Sequence, residues 1–148
     1  MFKHILLPTD DSESSRQAVL KGIEFARAIG ARVTACHAAS HNELTRFYVA
    51  SGAIKPEAGE KIEKEFNERV DRVLGFVSDS AQKVGVPCDA RYVNSPDPFA
   101  AIIETAEKEG CDLIFMASHG RKGMSALVLG SETNKVLTHS KIPVMVCR

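Results

Sequence analysis

Ile5-Leu6-Leu7-Pro8-Thr9-Asp10-Asp11-Ser12 decides how the rest of the chain reads. Three apolar residues in a row, with no polar alternation, suit a strand covered on both faces. Pro8 and the polar run behind it end that strand. Asp11 or Ser12 stands where a helix cap belongs, with acidic Glu13 in the first turn. The helix runs to about Ile29: Ala18, Gly22, Phe25, Ala26 and Ile29 share one face, and Gly30 stops it.

The same unit then repeats. Arg32 to Ala38 reads as a second strand. Residues 39–56 connect without clear periodicity, with room for a short helical piece around Leu44 to Val49. A long helix follows from about Glu57 to Val84, where Ile62, Phe66, Val70, Val73, Val77, Ala81 and Val84 step by threes and fours. Cys88 to Val93 is a third strand. Asp97-Pro98 opens a helix, as a cap followed by proline at the first helical position, and Gly110 closes it. Asp112 to Ala117 is a fourth strand, apolar after its first residue. A helical pattern runs from about Met124 to His139 with Val136 and Leu137 facing inward, and Pro143 to Cys147 is a fifth strand. Strand and helix alternate, which predicts a parallel sheet with helices on both faces. In such sheets ligands sit beyond the carboxyl ends of the strands, where strand order reverses. The candidate residues are therefore those just after each strand.

Composition bounds the function. The chain has 148 residues, 44% of them apolar, and nineteen Lys and Arg balance nineteen Asp and Glu. One domain spanning residues 1–148 is expected, with roughly 70% of its unfolded surface buried and no need of staples. A neutral chain lacks the electrostatic footprint of a nucleic-acid or anionic-membrane binder, so neither partner is expected. Cys36, Cys88, Cys111 and Cys147 are widely spaced with no CxxC pair, which suits reduced thiols in the cytoplasm. No apolar run approaches the ~20 residues of a membrane span.

Ala117-Ser118-His119-Gly120-Arg121-Lys122-Gly123, followed by Gly130-Ser131, is the stretch that carries chemistry. Gly120 lets the backbone turn with positive φ and lets a ligand approach the main chain. Gly130-Ser131 opens a helical stretch whose free N–H groups and dipole attract an anion. Arg121 and Lys122 add charge nearby. The GxxxxGK[ST] phosphate loop is absent, and so is GxGxxG after the first strand. A phosphoacceptor receiver domain would need an Asp after its third strand, where Asn94-Ser95-Pro96 stands here. His37 and His41 have metal-ligand spacing only if both lie on one helix. Ser125 lacks the second glycine of a nucleophile elbow. No catalytic residue and no metal ligand is assigned.

Nearly the whole chain resembles the universal stress protein family. The resemblance rests on the opening stretch, on Leu113 to Gly120, on Leu129-Gly130-Ser131 and on Ile142 to Val146. The family's nucleotide motif is Gly, two residues, Gly, nine residues, Gly, then Ser or Thr. Gly120, nine residues, Gly130 and Ser131 match it, while Ala117 replaces the first glycine. An alanine is strained at that position if φ must be positive and costs little if the position is ordinary strand. The resemblance implies a Rossmann-like, three-layer αβα sandwich with a five-stranded parallel sheet in the order 3-2-1-4-5. It also implies ATP as ligand, with Mg²⁺ or Mn²⁺ between the phosphates. Pro8, Thr9 and Asp10 would face adenine or ribose, and Ala38 would read the adenine edge. Ala117, His119, Gly120 and Arg121 would lie along ribose and phosphates, with Gly130, Ser131, Glu132 and Thr133 at the phosphate tail. It implies as well a homodimer through Val144, Met145 and Val146, since a short apolar strand at a sheet edge pairs with something. The alternative cover for that edge is residues 39–56. The function so read is a dimeric, ATP-binding stress-response or signalling module in the cytoplasm. Its competitors are a nucleotide-free interaction protein of the same fold and a slow ATPase or autophosphorylating protein.

Overall fold

The computed structural model describes residues 1–40, 43–120 and 128–148. Its five strands are β1 (His4–Pro8), β2 (Arg32–Ala39), β3 (Cys88–Asn94), β4 (Leu113–Ala117) and β5 (Val144–Cys147). They form one parallel sheet in the order β3-β2-β1-β4-β5. The helices are α1 (Glu13–Ile29), α2 (Glu43–Ala50), α3 (Pro56–Lys83), α4 (Pro98–Lys108) and α5 (Ser131–His139). The Rossmann-like sandwich expected from the sequence is the fold observed.

The continuous apolar runs find cover on both faces. Odd-numbered Ile5, Leu7, Val33, Leu113 and Phe115 pack with α1 and the carboxyl half of α3 through Val19, Ile23, Val77 and Ala81. Even-numbered Leu6, Cys36, Ile114 and Met116 pack with α4 and α5 through Ile102, Ala106 and Val136. This is the two-residue period of a strand, made invisible in sequence by burial of both sides. Ile5, Leu6, Leu7 and Ile114 are fully buried, and each such side chain contributes roughly 1.5–3 kcal/mol. Burial pushes the Cys36 thiol up to about 11 and the Cys111 thiol to about 12, so both are protonated, inert core residues at neutral pH.

Of the two residues named for the α1 cap, Ser12 holds it: its Oγ accepts from the Ser15 N–H at 3.2 Å. Several other local expectations are corrected. Asp10 and Asp11 do other work. Asp97 stands at the cap position of α4 but makes no side-chain cap bond; the Glu132 carboxylate accepts from the Phe99 N–H at 2.9 Å instead. The last helix begins at Ser131, and residues 128–130 before it are not helical; residues 121–127, with Arg121, Lys122 and Ser125, lie outside the described residues, as does His41. Val136 is fully buried, whereas Leu137 is exposed. Helix α2 packs on α3, so it does not cover the β5 edge. Among the described residues no helix is long and apolar enough to cross a membrane.

Candidate functional site

Strand order reverses between β1 and β4, and there the two strands part. Their pairing covers Ile5 with Leu113 and Leu6 with Ile114. Beyond it each strand follows its outer neighbour. Pro8 pairs with Cys36 of β2, and the Thr9 N–H donates to the Cys36 carbonyl at 2.9 Å. Ala117 pairs with Cys147 of β5, and the Ser118 N–H donates to the Cys147 carbonyl at 2.9 Å. The carboxyl ends of β1 and β4 thus diverge at the place where open parallel sheets bind ligands.

Three chain segments meet at that point. The first is Thr9-Asp10-Asp11-Ser12. Thr9 is buried, its Oγ1 lies 3.1 Å from Ser15 Oγ, and its carbonyl lies 2.8 Å from His37 Nδ1. A carbonyl only accepts, so Nδ1 carries the hydrogen and His37 is a framework residue at the end of β2. Asp10 is half-buried, and its Oδ1 accepts from the Ser12 N–H at 3.0 Å.

The second segment is Ser118-His119-Gly120. The His119 carbonyl accepts from Ser14 Oγ at 2.6 Å, which ties this segment to the first turn of α1. His119 Nδ1 lies 3.0 Å from Ser118 Oγ. The backbone of Gly120 lies outside the left-handed region. Its requirement is space: a Cβ there would fall on the Asp10 carboxylate. The reading of Gly120 as a positive-φ turn residue is thereby corrected to one of close approach.

The third segment is Gly130 with the start of α5. The Gly130 N–H donates to the Ser118 carbonyl at 2.7 Å, and a Cβ on Gly130 would stand 3.0 Å from His119 Cα. The first helical bond of α5 runs from Asn134 N to the Gly130 carbonyl. The N–H groups of Ser131, Glu132 and Thr133 precede it and have no acceptor within the helix. They converge where the dipole favours an anion.

The candidate side chains divide by their commitments. Thr133 is buried and its Oγ1 donates to the Ala117 carbonyl at 2.9 Å, so it anchors α5 to β4. Glu132 spends its carboxylate on Phe99 N and on Lys135 Nζ at 3.0 Å, which leaves its N–H as its contribution here. The Ser131 hydroxyl belongs to an exposed residue at the helix start. Ala38 lies at the carboxyl end of β2, paired with Val93 and half-buried. Ala117 is an ordinary, buried strand residue without positive φ, so its methyl group brings no backbone strain. Ser14 is not singled out from sequence, because its hydroxyl acts on the His119 carbonyl, a backbone atom brought close only by the fold; Ser118 lies in the stretch that is, and its Oγ meets the neighbouring His119 ring. Two other clefts lie away from this point: one of about 320 Å³ between α2 and α3, and one of about 400 Å³ at the amino ends of the strands beside Lys3, Arg27 and Arg32. Neither touches the three segments.

An open parallel sheet with Gly120, Gly130 and a helix amino end at its switch point defines a Rossmann-like α/β protein. The chain belongs to the universal stress protein family, whose model matches residues 1–148. The universal stress protein MJ0531 of Methanocaldococcus jannaschii is 28% identical over 148 residues, covering 100% of this chain and 83% of that one. The solved structure of MJ0577 from the same organism is 27% identical, with a TM-score of 0.79 over 99% of this chain and 95% of that one. The fold is shared with a universal stress protein in complex with cAMP (22% identity, TM-score 0.69, 99% and 97% covered). It is shared also with one from Archaeoglobus fulgidus in complex with dAMP (16%, TM-score 0.62, 100% and 98% covered).

Proposed function

We propose that this chain is a single-domain, cytoplasmic stress-response module that binds ATP between the carboxyl ends of β1 and β4. The observation that carries the reading is the meeting of the Asp10 carboxylate, the side-chain-free surface of Gly120 and the N–H groups at the start of α5 that have no acceptor within the helix. Asp10, an acceptor, suits the ribose hydroxyls, with the Thr9 main chain beside it. Pro8 fixes the end of β1, and Ala38 offers its main chain to the adenine edge. Ala117, His119 and Gly120 line the path of the ribose and α-phosphate. Ser131, Glu132 and Thr133 present N–H donors to the phosphate tail, and Gly130, whose own N–H is held by the Ser118 carbonyl, brings the chain past it without a side chain. The complexes of relatives with cAMP and dAMP support an adenine nucleotide as the ligand class.

Mg²⁺ or Mn²⁺ would be held chiefly by the phosphates, as such ions usually are, with the Ser131 hydroxyl as a protein donor. Binding rather than turnover is the proposed activity. A homodimer through Val144, Met145 and Val146 completes the module, with occupancy of the site as its signal.

Equilibrium dialysis with labelled ATP and Mg²⁺ tests the reading. Saturable binding of one nucleotide per chain is expected. Absence of binding at millimolar ATP rejects it.

A further inference from the structure

Asp11 is the one non-glycine residue with positive φ among the described residues, at 66°. An L-residue there crowds its Cβ against the following carbonyl, and such a conformation persists only where the surroundings over-determine it. Asp11 sits between two residues whose orientation matters, Asp10 and the Ser12 cap. Its own N–H reaches Thr9 Oγ1 at 3.3 Å, a long bond.

The stronger constraint comes from one turn into α1. Arg16 Nη2 and Nε lie 2.7 and 2.8 Å from the same Asp11 oxygen, Oδ1. The Arg16 guanidinium lies over the Phe76 ring of α3, 4.9 Å from its centroid. The ion pair is partly exposed, so its Coulombic contribution is modest. The stack gives it a second function: a guanidinium seated on an aromatic face has one direction in which to present its N–H groups. Asp11 is thus drawn toward α3. With Asp11 left-handed, the Ser12 N–H meets Asp10 Oδ1 at 3.0 Å and the other carboxylate oxygen lies against Gly120.

We propose that Arg16 is a positioning residue for the nucleotide site: braced on Phe76, it holds Asp11 left-handed and so fixes the direction of the Asp10 carboxylate. The inference rests on the reading of that site given above. It predicts a coupling. Glycine adopts φ near 66° without assistance, so Asp11→Gly makes Arg16 dispensable.

A two-by-two set of Arg16→Ala and Asp11→Gly variants tests this with two readouts. The first is ATP affinity by titration calorimetry well below every variant's melting temperature. The second is the hydrogen-exchange rate of the Ser12 amide without nucleotide, which reports the bond to Asp10 directly. Arg16→Ala alone is expected to weaken ATP binding and speed Ser12 exchange, each about fivefold, the order of the left-handed penalty. In the Asp11→Gly background the same change moves both by less than twofold. Equal effects in the two backgrounds, or none in the first, overturn the proposal. A wild-type chain that binds no ATP defeats the nucleotide reading, while Ser12 exchange still decides whether Arg16 holds the loop.

Discussion

The Asp10 carboxylate occupies the space into which a side chain on Gly120 would grow. One residue follows β1 and the other follows β4, so the contact spans the point where strand order reverses. It places a negative acceptor and a bare stretch of main chain side by side, an arrangement suited to a ribose next to a phosphate.

Gly120→Ala is expected to separate binding from folding. The atom that the new methyl meets is the end of a short side chain, which rotates away on loss of its bond to the Ser12 N–H. The expected stability cost is about 1 kcal/mol, one net hydrogen bond. ATP affinity is expected to fall tenfold or more, because Asp10 no longer points across the proposed site. Calorimetric titration with a parallel thermal melt checks both. A large stability loss would mean that Gly120 serves the fold rather than the ligand.

Gly130→Ala is expected to behave in the opposite way. Its methyl would stand 3.0 Å from His119 Cα and 3.4 Å from the Ser118 carbonyl oxygen. These are backbone atoms, and the Gly130 N–H is bonded to that same carbonyl. The backbone must shift, at about 1–3 kcal/mol, the usual cost of overpacking. A urea midpoint unchanged from wild type would contradict the geometry.

Ala117→Gly tests whether the missing first motif glycine matters. The residue is extended, buried and paired with Cys147. Glycine there loses strand stability of about 0.5–1 kcal/mol and relieves no strain. ATP affinity is expected to stay within twofold. A tenfold gain would show that the methyl group obstructs the ligand.

The contrast between these three positions marks what the sequence carried. The fold was legible because burial on both faces leaves continuous apolar runs at Ile5–Leu7 and Leu113–Met116, and because Gly30 and Pro98 punctuate the helices. The spacing of Gly120 and Gly130 was legible too. Their physical reasons were not: the contact of Gly120 with Asp10 crosses about a hundred residues, and no local rule encodes it. The same holds for Glu132, which caps α4 from α5 and so replaces Asp97. Leu137 fits the helical period but is exposed, since only the Val136 side of α5 reaches the sheet.

Acid should weaken the fold through His4. The ring is buried at the start of β1 with Nε2 2.7 Å from Thr34 Oγ1, and Nδ1 has no partner among the described residues. Burial first, then the Arg32 charge, lowers its pKa below the ordinary 6.5, against the opposing pull of Asp112, Glu109 and Asp89. With the folded value below the unfolded one, the unfolded chain takes up the proton first. The His4 contribution is fully present above pH 6.5 and is lost as pH falls from there through the folded value. Urea midpoints from pH 8 to 5 should decline in wild type. His4→Leu with Thr34→Val removes both partners of the buried bond, and its decline over the same range should be flatter. Parallel curves would exclude His4 as the source.

Assembly through β5 can be tested by the direction of single peptide groups. The Pro143 carbonyl accepts from the Ile114 N–H and the Cys147 carbonyl from the Ser118 N–H, both on the β4 side. Peptide groups in a strand alternate, so those of Val144 and Val146 point to the open edge of the sheet. Val146→Pro therefore removes an outward N–H and leaves the bonds to β4 in place, the one setting in which proline is tolerated in a strand. If two copies pair through this edge, the variant is monomeric by sedimentation equilibrium at concentrations where wild type is dimeric. Its ATP affinity should remain near that of wild type, since the proposed site lies on the other side of β4. A variant that stays dimeric would assign the interface to another surface, and a wild-type monomer would leave the Val144–Val146 edge unpaired.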